Sequence, residues 1–433
     1  MNNTIKFLFN IEDKHLRFDE KIPFEEHNGY KIAYLIQSYE MKCPICGKRM
    51  LKNGFKAIKI KTFPINKTPT FLVIKKQKYL CKPSAGCPQS ITKIAEIKGI
   101  QPKHRIANSV NESIMIDLTK NRSIKDIAQD NNVSSSTVFR KLQSLSSYFK
   151  VNRHWLPRAI CLDDFKSGSA LHDGMSMVLM NAENHRVIDV IKSRKNQYLK
   201  SYFLRFDRKA RLAVRLVVID LYDPYRNLIN ELFPNAIIIA DHFHIVVQAY
   251  MALKTTRIHV MNRYGKGTHE YRTLKRYAKL IMTSNEKLDF THYYPRINFK
   301  YAWLSSPEII ERLLQMSDDL RIAYEYYQNV LYIISHHDVK ALDRLLEENI
   351  HDLPVELYNA HKTLKKHYNE VVVSLQTRLS NGPLEGINNK IKVIKRTAYG
   401  FRNFNNFRLR ILLAVHNVKI EIKKAAPPYD EVA

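Results

Sequence analysis

The segment SNGPLEGINNKIKVIKR, residues 380–396, has the features of a helix start followed by an amphipathic helix. Asn381 or Gly382 can take the N-cap, and Pro383 suits the first helical turn, where no amide hydrogen is needed. Glu385 falls in that turn, where the helix dipole stabilises a carboxylate. The apolar spacing predicts one buried stripe made of Leu384, Ile387, Ile391 and Ile394. The adjacent stripe is polar and comprises Glu385, Asn388, Lys392 and Lys395. By itself this pattern fits a surface helix with a capping glutamate as well as a site for a polyanion and a metal ion.

The chain carries a large excess of positive charge. Its 433 residues include 70 Lys and Arg against 41 Asp and Glu, a formal net charge of +29. Such an excess points to a polyanionic partner, most often nucleic acid, with an acidic membrane surface second. No apolar run is long enough to span a bilayer, and the first ten residues lack a signal-peptide pattern. We therefore expect a cytoplasmic, nucleoid-associated protein that binds nucleic acid and no membrane.

Four of the five cysteines form two local pairs. Cys43 and Cys46 are two residues apart, and Cys81 and Cys87 follow a strand-like segment at 70–80. Four thiolates in this arrangement predict a structural zinc site, a zinc ribbon, better than a disulfide framework. The gap between Cys81 and Cys87 is longer than usual, so His104 is an alternative to Cys87 as the fourth ligand.

Residues 123–142 have the pattern of a helix-turn-helix. Ile124, Ile127 and Ala128 lie on one face of a first helix, and Asn131-Asn132 suits the turn. The second helix, capped by Ser134, is predicted to face a DNA major groove through Ser135, Ser136, Thr137, Arg140 and Lys141. A polar helical hairpin in a linker is the alternative, and the net charge favours DNA binding.

From residue 158 the pattern changes to strands. The predicted order is strands at 159–164, 175–180 and 186–191, a helix at 196–206, a strand at 212–220, a helix at 224–233 and a strand at 236–240. Three antiparallel strands followed by helix, strand, helix and strand are typical of an RNase H-like α/β fold. Asp163 and Asp220 would end neighbouring central strands, where sites of open α/β sheets gather.

The remaining sequence is predicted to be mostly helical. Residues 245–375 are too long for a loop, so we interpret them as a helical insertion between the last strand and the Glu385 helix. Residues 399–410 mix aromatic side chains with Arg, which suits DNA contacts or core packing equally. A last helix is expected at 411–422, followed by a loose tail.

These patterns predict a multidomain α+β protein with six segments. They are a β lead-in with zinc ribbon at 1–100, a helix-turn-helix DNA-binding domain at 101–152, the first part of an RNase H-like α/β catalytic core at 153–250, a long helical insertion at 251–375, the C-terminal helices of that core at 376–424 and a tail at 425–433.

Two carboxylates at strand ends and a third on a later helix can hold two divalent metal ions about 3.5–4 Å apart. Their oxygen ligands select magnesium or manganese. The predicted metal-binding set is Asp163, Asp220 and Glu385. Asp164 competes with Asp163, because adjacent residues of a strand point to opposite faces and only one can face the site. Asp241 also ends a strand and competes with Asp220.

The chain resembles the DDE transposases of bacterial insertion sequences of the type called ISL-three, nearly from end to end. The matching blocks are LDDFKS at 162–167, VIDLY at 218–222 with Pro224-Tyr225, FPNA at 233–236, DHFH at 241–244 and residues 380–396 with YGFR at 399–402. This resemblance implies that Asp163, Asp220 and Glu385 are the first, second and third catalytic carboxylates. The long Cys81–Cys87 gap departs from the family pattern, as does Asp164, where such proteins often carry Glu.

The resemblance further implies a nucleotidyl-transfer enzyme that binds the terminal inverted repeats of its element, cuts them and joins them to target DNA. Both ends must be brought together, so a homodimer on double-stranded DNA is expected. Cations expected to contact DNA are Lys392, Lys395, Arg396 and Arg402. The alternatives are a transposase-derived DNA-binding regulator that no longer cuts and a metal-dependent nuclease that does not join.

Overall fold

The computed structural model describes residues 2–83, 86–100, 104–168, 174–347, 354–377, 379 and 381–416. Ser380, the end of the predicted last helix at 417–422 and the predicted tail lie outside these residues. The chain divides into two compact units, the first made of Met1–Lys150 with Lys390–Ala433 and the second of Val151–Asn389. Each unit buries apolar side chains of its own, in one large cluster in the first unit and in two in the second.

The first unit begins with a helix, a six-stranded sheet and three further helices. In chain order these are α1 (Asn2–Phe9), β1 (Leu16–Phe18), β2 (Phe24–His27), β3 (Tyr30–Gln37), β4 (Leu51–Lys61), β5 (Thr70–Cys81), β6 (Ile91–Ile94), α2 (Asn108–Thr119), α3 (Ile124–Asp130) and α4 (Ser135–Ser144). Strand β5 is central, parallel to β3 and antiparallel to β4. Helix α1 was not predicted. It forms because Ile5 and Phe9, four residues apart, bury together in the core.

Sheet and helices of the first unit share one core. Ile60 and Leu72 of the sheet pack in the same cluster as Ile114 of α2, Ile127 of α3 and Val138 of α4. The predicted boundary at residue 100 therefore does not separate two hydrophobic cores. Strand and helices bury their apolar faces against each other, because neither layer can bury its own face alone.

Helices α3 and α4 begin directly after Ser123 and after the predicted cap Ser134, and α4 ends at Ser144, two residues beyond the predicted segment. Ser123 and Ser134 are the N-caps, and their hydroxyls accept hydrogen bonds from the backbone N–H groups of Asp126 and Thr137. Asn132 takes a left-handed conformation with φ of 52°, which Asn tolerates better than most residues.

The second unit contains a five-stranded mixed sheet. Its elements are β7 (Ala159–Lys166), β8 (Met175–Asn181), β9 (Val187–Ile191), α5 (Asn196–Phe203), α6 (Arg208–Ala213), β10 (Leu216–Ile219), α7 (Pro224–Leu232) and β11 (Ile237–Ala240). The strand order is β11-β10-β7-β8-β9, with β10 parallel to both β7 and β11 and the remaining pairs antiparallel. The succession matches the prediction, except that α6 occupies the start of the segment predicted as a strand at 212–220. Short apolar runs do not distinguish a helix end from a buried strand.

Between β11 and the Glu385 helix the described residues are mostly helical, as predicted, with a hairpin among the residues at 282–305, which form no α-helix. The elements are α8 (His242–Tyr264), α9 (His269–Arg276), α10 (Ala278–Ile281), β12 (Tyr294–Arg296), β13 (Ala302–Leu304), α11 (Ser306–Leu314), α12 (Asp318–His336), α13 (Val339–Glu347), α14 (Val355–Lys366) and α15 (Tyr368–Thr377). The β12–β13 hairpin was missed because its three-residue strands are too short to show a period. Within the described residues, every helix is either too short or too polar to cross a lipid bilayer.

The last two helices are α16 (Gly382–Thr397) and α17 (Phe404–Val415). Of the predicted apolar stripe, Leu384, Ile391 and Ile394 are buried. The prediction that residues 376–424 complete the catalytic core is wrong for α17. This helix packs on α2 and α4, and its Leu409 and Leu413 belong to the core of the first unit. Helical periodicity shows that α17 has an apolar face but not which core receives it.

Arg410 of α17 holds the end of α2. Its side chain is 3% exposed, and its guanidinium donates to the carbonyl oxygens of Leu118, Lys120 and Arg122. The last carbonyls of a helix have no partner within the helix, so a cation there satisfies them and complements the helix dipole.

Replacing Arg410 by methionine removes these donors while keeping much of the side-chain volume. We expect Arg410→Met to lower the free energy of unfolding by about 3 kcal/mol, because carbonyl oxygens that a charged donor satisfied lose that donor. Urea unfolding followed by circular dichroism measures the change. Arg402→Met is the matched control, since Arg402 is exposed, and it should have an effect below about 0.5 kcal/mol. Identical midpoints for the two variants would contradict this role of Arg410.

Candidate active site and metal centres

Asp163 and Asp220 lie level with each other on neighbouring parallel strands. In the β7–β10 ladder, Cys161 pairs with Val218, and each aspartate follows two residues after its member of that pair. Side chains two residues apart on a strand point to the same face, and neighbouring strands are about 4.8 Å apart. The two carboxylates therefore lie side by side just beyond the paired part of β7 and β10. Asp220 follows the last residue of β10, as predicted, but Asp163 does not end its strand, because β7 continues alongside β8 to Lys166.

These carboxylates are in surroundings that disfavour their charge. Burial raises the pKa of Asp163 to about 6 from its ordinary value of 3.8; the charge of His244 opposes this shift, and the carboxylates of Asp241 and Asp164 add to it. Burial also raises the pKa of Asp220. Negative charge that neither water nor a neighbouring cation fully compensates is what a divalent cation would neutralise.

The two competing aspartates are engaged elsewhere. Asp164 accepts a hydrogen bond from Arg194 Nη1 at 2.5 Å. Asp241 is 1% exposed and is the N-cap of α8. Its carboxylate accepts from the backbone N–H of Phe243, from Nδ1 of His244 at 2.9 Å and from the backbone N–H of Asn381 at 3.1 Å. These contacts favour Asp163 and Asp220 as the carboxylates that face a ligand.

Glu385 lies in the first turn of α16, and its side chain is exposed. The start of α16 is held against β7 by two asparagines. Nδ2 of Asn381 donates to the carbonyl oxygen of Leu162 at 3.4 Å, and Nδ2 of Asn388 donates to Oδ2 of Asp163 at 2.7 Å. Glu385 is three residues before Asn388 and shares its side of the helix. The structure thus brings the helix that carries Glu385 onto the strand that carries Asp163.

Sequence reasoning missed three residues of this site. His244 is hydrogen-bonded to Asp241, which raises the pKa of its imidazole, and its charge acts on Asp163 and Asp220. Asn381 and Asn388 make the contacts just described. The signal for Asn388 was present, because it lies one turn after Glu385 on the polar stripe of α16. Only the fold shows which strand that stripe meets.

The second metal centre is formed by the two cysteine pairs. Within the described ranges, Cys43, Cys46, Cys81 and Cys87 are the one group of three or more Cys, His, Asp or Glu whose ligand atoms all lie within 4.8 Å. The oxygens of the three carboxylates predicted to bind magnesium do not all lie within 4.8 Å of one another. The fourth member of the cysteine group is Cys87, so the alternative ligand His104 is wrong.

Sulfur separations in this group suit a tetrahedral metal. The Sγ atoms of Cys43 and Cys87 are 3.8 Å apart, and Cys81 Sγ is 3.7 Å from both Cys46 and Cys87. A tetrahedral zinc ion with Zn–S bonds of about 2.3 Å places its sulfurs about 3.8 Å apart. A hydrogen bond from the backbone N–H of Cys46 lowers the pKa of the Cys43 thiol to about 6. The site is therefore consistent with zinc.

The residues predicted to contact DNA differ in exposure. On α4, Ser135, Ser136 and Arg140 are exposed and Lys141 is half-buried. Thr137 is 8% exposed, and its hydroxyl is hydrogen-bonded to Ser134 and Arg140. The prediction that Thr137 faces a groove is therefore wrong, because the capped helix start turns this side chain inward. On and after α16, Lys392, Arg396 and Arg402 are exposed and Lys395 is half-buried.

Comparison with protein families supports the zinc ribbon and identifies the family of the chain. Residues 160–411 match the transposase family DDE_Tnp_ISL3. The chain belongs to the ISL3 family of DDE transposases. Residues 40–84 match the zinc finger of the transposases of IS204, IS1001, IS1096 and IS1165, so this family member also carries the ISL3 zinc ribbon. The match ends before Cys87, which the structure adds to the cluster.

Two curated proteins resemble this ISL3-family chain. It is 24% identical over 258 residues to the transposase for insertion sequence element IS1001 of Bordetella parapertussis, covering 59% of this chain and 60% of the relative. It is 40% identical over 139 residues to a Lactococcus lactis subsp. lactis protein named ATP-dependent protease, covering 32% of this chain and 43% of that protein. The chain thus spans about half the length of these relatives.

Zinc content tests the cysteine centre. Cys46→Ser should abolish the zinc that co-purifies with the protein, because one of four thiolate ligands is lost. Cys161→Ser is the matched control, since Cys161 is buried in β7 and lies outside the cluster. Atomic emission of the purified variants measures the metal. Full zinc in Cys46→Ser, or its loss in Cys161→Ser, would contradict the assignment.

The raised pKa of Asp163 predicts that this residue destabilises the protein in the absence of divalent cations. Below the ordinary pKa of 3.8 the carboxyl is neutral in both folded and unfolded chains, so Asp163→Asn should have little effect. As the pH rises through about 6, the folded wild type must ionise a buried carboxyl. At pH 8, Asp163→Asn should then be more stable by about 2 kcal/mol, and its amide oxygen can still accept from Asn388. Urea unfolding in magnesium-free buffer at pH 4 and pH 8 measures the difference; a variant that is less stable at pH 8 would contradict the prediction.

Proposed function

We propose that this chain is a transposase that cuts the ends of its insertion sequence and joins them to target DNA. The observation that carries the proposal is the level placement of Asp163 and Asp220 on neighbouring parallel strands, with the start of α16 held against β7 by Asn388. The sheet order and the helices between strands support an RNase H-like core. Asp163, Asp220 and Glu385 are the three catalytic carboxylates.

The donor set fits magnesium or manganese. It consists of carboxylate oxygens, and burial raises the pKa of both strand aspartates, so a bound cation would relieve their charge. Two such ions would supply an activated hydroxyl and stabilise the leaving oxygen of an in-line displacement. The residues of the chain hold this site in place: Asn388 orients Asp163, and Asp241 with His244 secures the helix that follows β11. Glu385 lies in the first turn of α16 with its side chain exposed to solvent, and it is the third carboxylate of the proposed metal site.

DNA is bound through the first unit and through the basic surface of the chain. The zinc ribbon supports β5, and helices α3 and α4 serve as the helix-turn-helix. Helix α4 would reach base edges in a major groove through Ser135, Ser136 and Arg140. The half-buried Lys141 would lie at the edge of this contact surface. Exposed cations at Lys392, Arg396 and Arg402, with Lys395, would contact phosphates, which suits a chain with a net charge of +29.

The DNA partners are the terminal inverted repeats and the target, in the bacterial cytoplasm. Joining requires both ends together, so the protein acts as a homodimer or larger assembly on DNA. We do not propose ATP-dependent proteolysis, the activity in the name of the Lactococcus relative, for this chain. The sequence has no Gly-x-x-x-x-Gly-Lys-Ser/Thr loop for ATP phosphates, and the family match over 160–411 is to a transposase.

Cleavage of the element's own ends tests the proposal. With magnesium, wild-type protein should cut a DNA fragment carrying the flanks of its gene at defined positions. Glu385→Gln should lose cleavage by at least about a hundredfold while keeping DNA affinity, because it retains size but not the charge that binds the metal. Glu286→Gln, an exposed glutamate of the insertion, is the matched control and should cut like wild type.

Three results would change the proposal. Specific binding without cutting by wild type, in magnesium or manganese, would indicate a DNA-binding regulator. Cutting without strand-transfer products would indicate a nuclease. Equal cutting by wild type and Glu385→Gln would show that Glu385 is not the third carboxylate.

A further inference from the structure

The side-chain amide of Asn388 makes a hydrogen bond through its nitrogen but not through its oxygen. Its Nδ2 donates to Oδ2 of Asp163 at 2.7 Å. Its Oδ1 is buried and has no hydrogen-bond partner among the described residues. The orientation is chemically determined, because an ionised carboxylate only accepts hydrogen bonds and must therefore meet the amide nitrogen. The carbonyl oxygen is left as a buried acceptor beside Asp163.

A buried carbonyl oxygen without a partner is uncommon in folded proteins. What satisfies it must be a hydrogen-bond donor or a cation. The surroundings favour a cation, because Asp163 is in direct contact and the charges of Asp164 and Asp241 also act on this carboxylate. Asn381 also has a buried Oδ1 without a partner, but its Nδ2 meets the backbone carbonyl of Leu162 and no carboxylate. Of these two oxygens, that of Asn388 belongs to the amide in direct contact with a carboxylate of the site.

We propose that Asn388 is a ligand of the divalent metal ion: Oδ1 coordinates the cation held by Asp163, while Nδ2 keeps that carboxylate in position. The inference rests on the metal site of the proposed function and adds a fourth residue to it. Asparagine carbonyl oxygens are ordinary ligands of hard cations. A neutral ligand also adds coordination without adding negative charge to a pocket in which several aspartates already repel one another.

Manganese binding by the zinc-loaded, full-length protein tests the inference. Mn²⁺ is titrated without DNA, and the free ion is measured by electron paramagnetic resonance. Asn388→Ala removes both amide atoms and should weaken Mn²⁺ affinity about tenfold. Asn388→Asp keeps an oxygen at the ligand position and loses only the donor, so its affinity should equal or exceed that of wild type. Asn389→Ala, on the exposed neighbouring position of α16, is the matched control and should bind like wild type.

The two substitutions separate a ligand from a purely structural residue. If Asn388 only held Asp163 through Nδ2, Asn388→Asp would place two carboxylates together without a donor and would bind Mn²⁺ no better than Asn388→Ala. That result overturns the inference. Melting temperatures without manganese show whether a variant is folded. If Asn388→Ala is unfolded, the Mn²⁺ affinity of Asn388→Asp alone tests whether Asn388 is a ligand.

Asp163→Asn distinguishes failure of the inference from failure of the metal site. Loss of Mn²⁺ binding in Asp163→Asn, together with wild-type affinity in Asn388→Ala, would leave the proposed function intact and overturn the role of Asn388. Unchanged binding in Asp163→Asn would overturn the carboxylate site itself, and the inference with it.

Discussion

The carboxylate of Asp241 joins three parts of the second unit. It lies at the end of β11, caps the first turn of α8 through the N–H of Phe243, and accepts from the backbone N–H of Asn381, 140 residues later. The chain leaves the sheet at α8 and returns at α16, so this one buried group closes the base of the insertion. Ser374 strengthens the closure through a hydrogen bond to the carbonyl oxygen of Ala240 at 2.8 Å. Burying a carboxylate without hydrogen-bond donors costs free energy of folding. Loss of any one of these donors should therefore destabilise the second unit.

This closure explains how a long insertion leaves the site undisturbed. Helices α8 to α15 bury their apolar faces in a cluster that includes Ala240 at the end of β11 and is separate from the core under the sheet. Their length therefore does not affect where α16 starts, because the base is fixed at Asp241. From that start, Asn388 reaches Asp163. Burial and the neighbouring carboxylates raise the pKa of Asp163, and a cation bound there would relieve this unfavourable charge.

The first unit is not a simple N-terminal module. Its sheet, its helices α2 to α4 and the C-terminal helix α17 share one core, and Arg410 of α17 satisfies the carbonyls at the end of α2. The part of the chain proposed to bind DNA therefore depends on residues that follow the catalytic segment. A protein truncated before α17 would lose the apolar contacts of Leu409 and Leu413 as well as this cap.

Local sequence determined most elements and the four members of the cysteine cluster. Period-two and period-3.6 patterns, capping serines and cysteine spacing act over a few residues, so they predicted β7 to β11, α3, α4, α16 and the cysteine cluster. The neighbouring positions of Asp163 and Asp220 also followed from strand order, although β7 continues past Asp163 to Lys166. Short elements such as α6 and the β12–β13 hairpin lacked enough residues to show a period. Tertiary structure alone decided that Thr137 points inward, that α17 joins the first unit and that Asn388 meets Asp163. Each of these depends on which distant surface a side chain packs against, and that choice is made by the burial and hydrogen bonding of the whole chain.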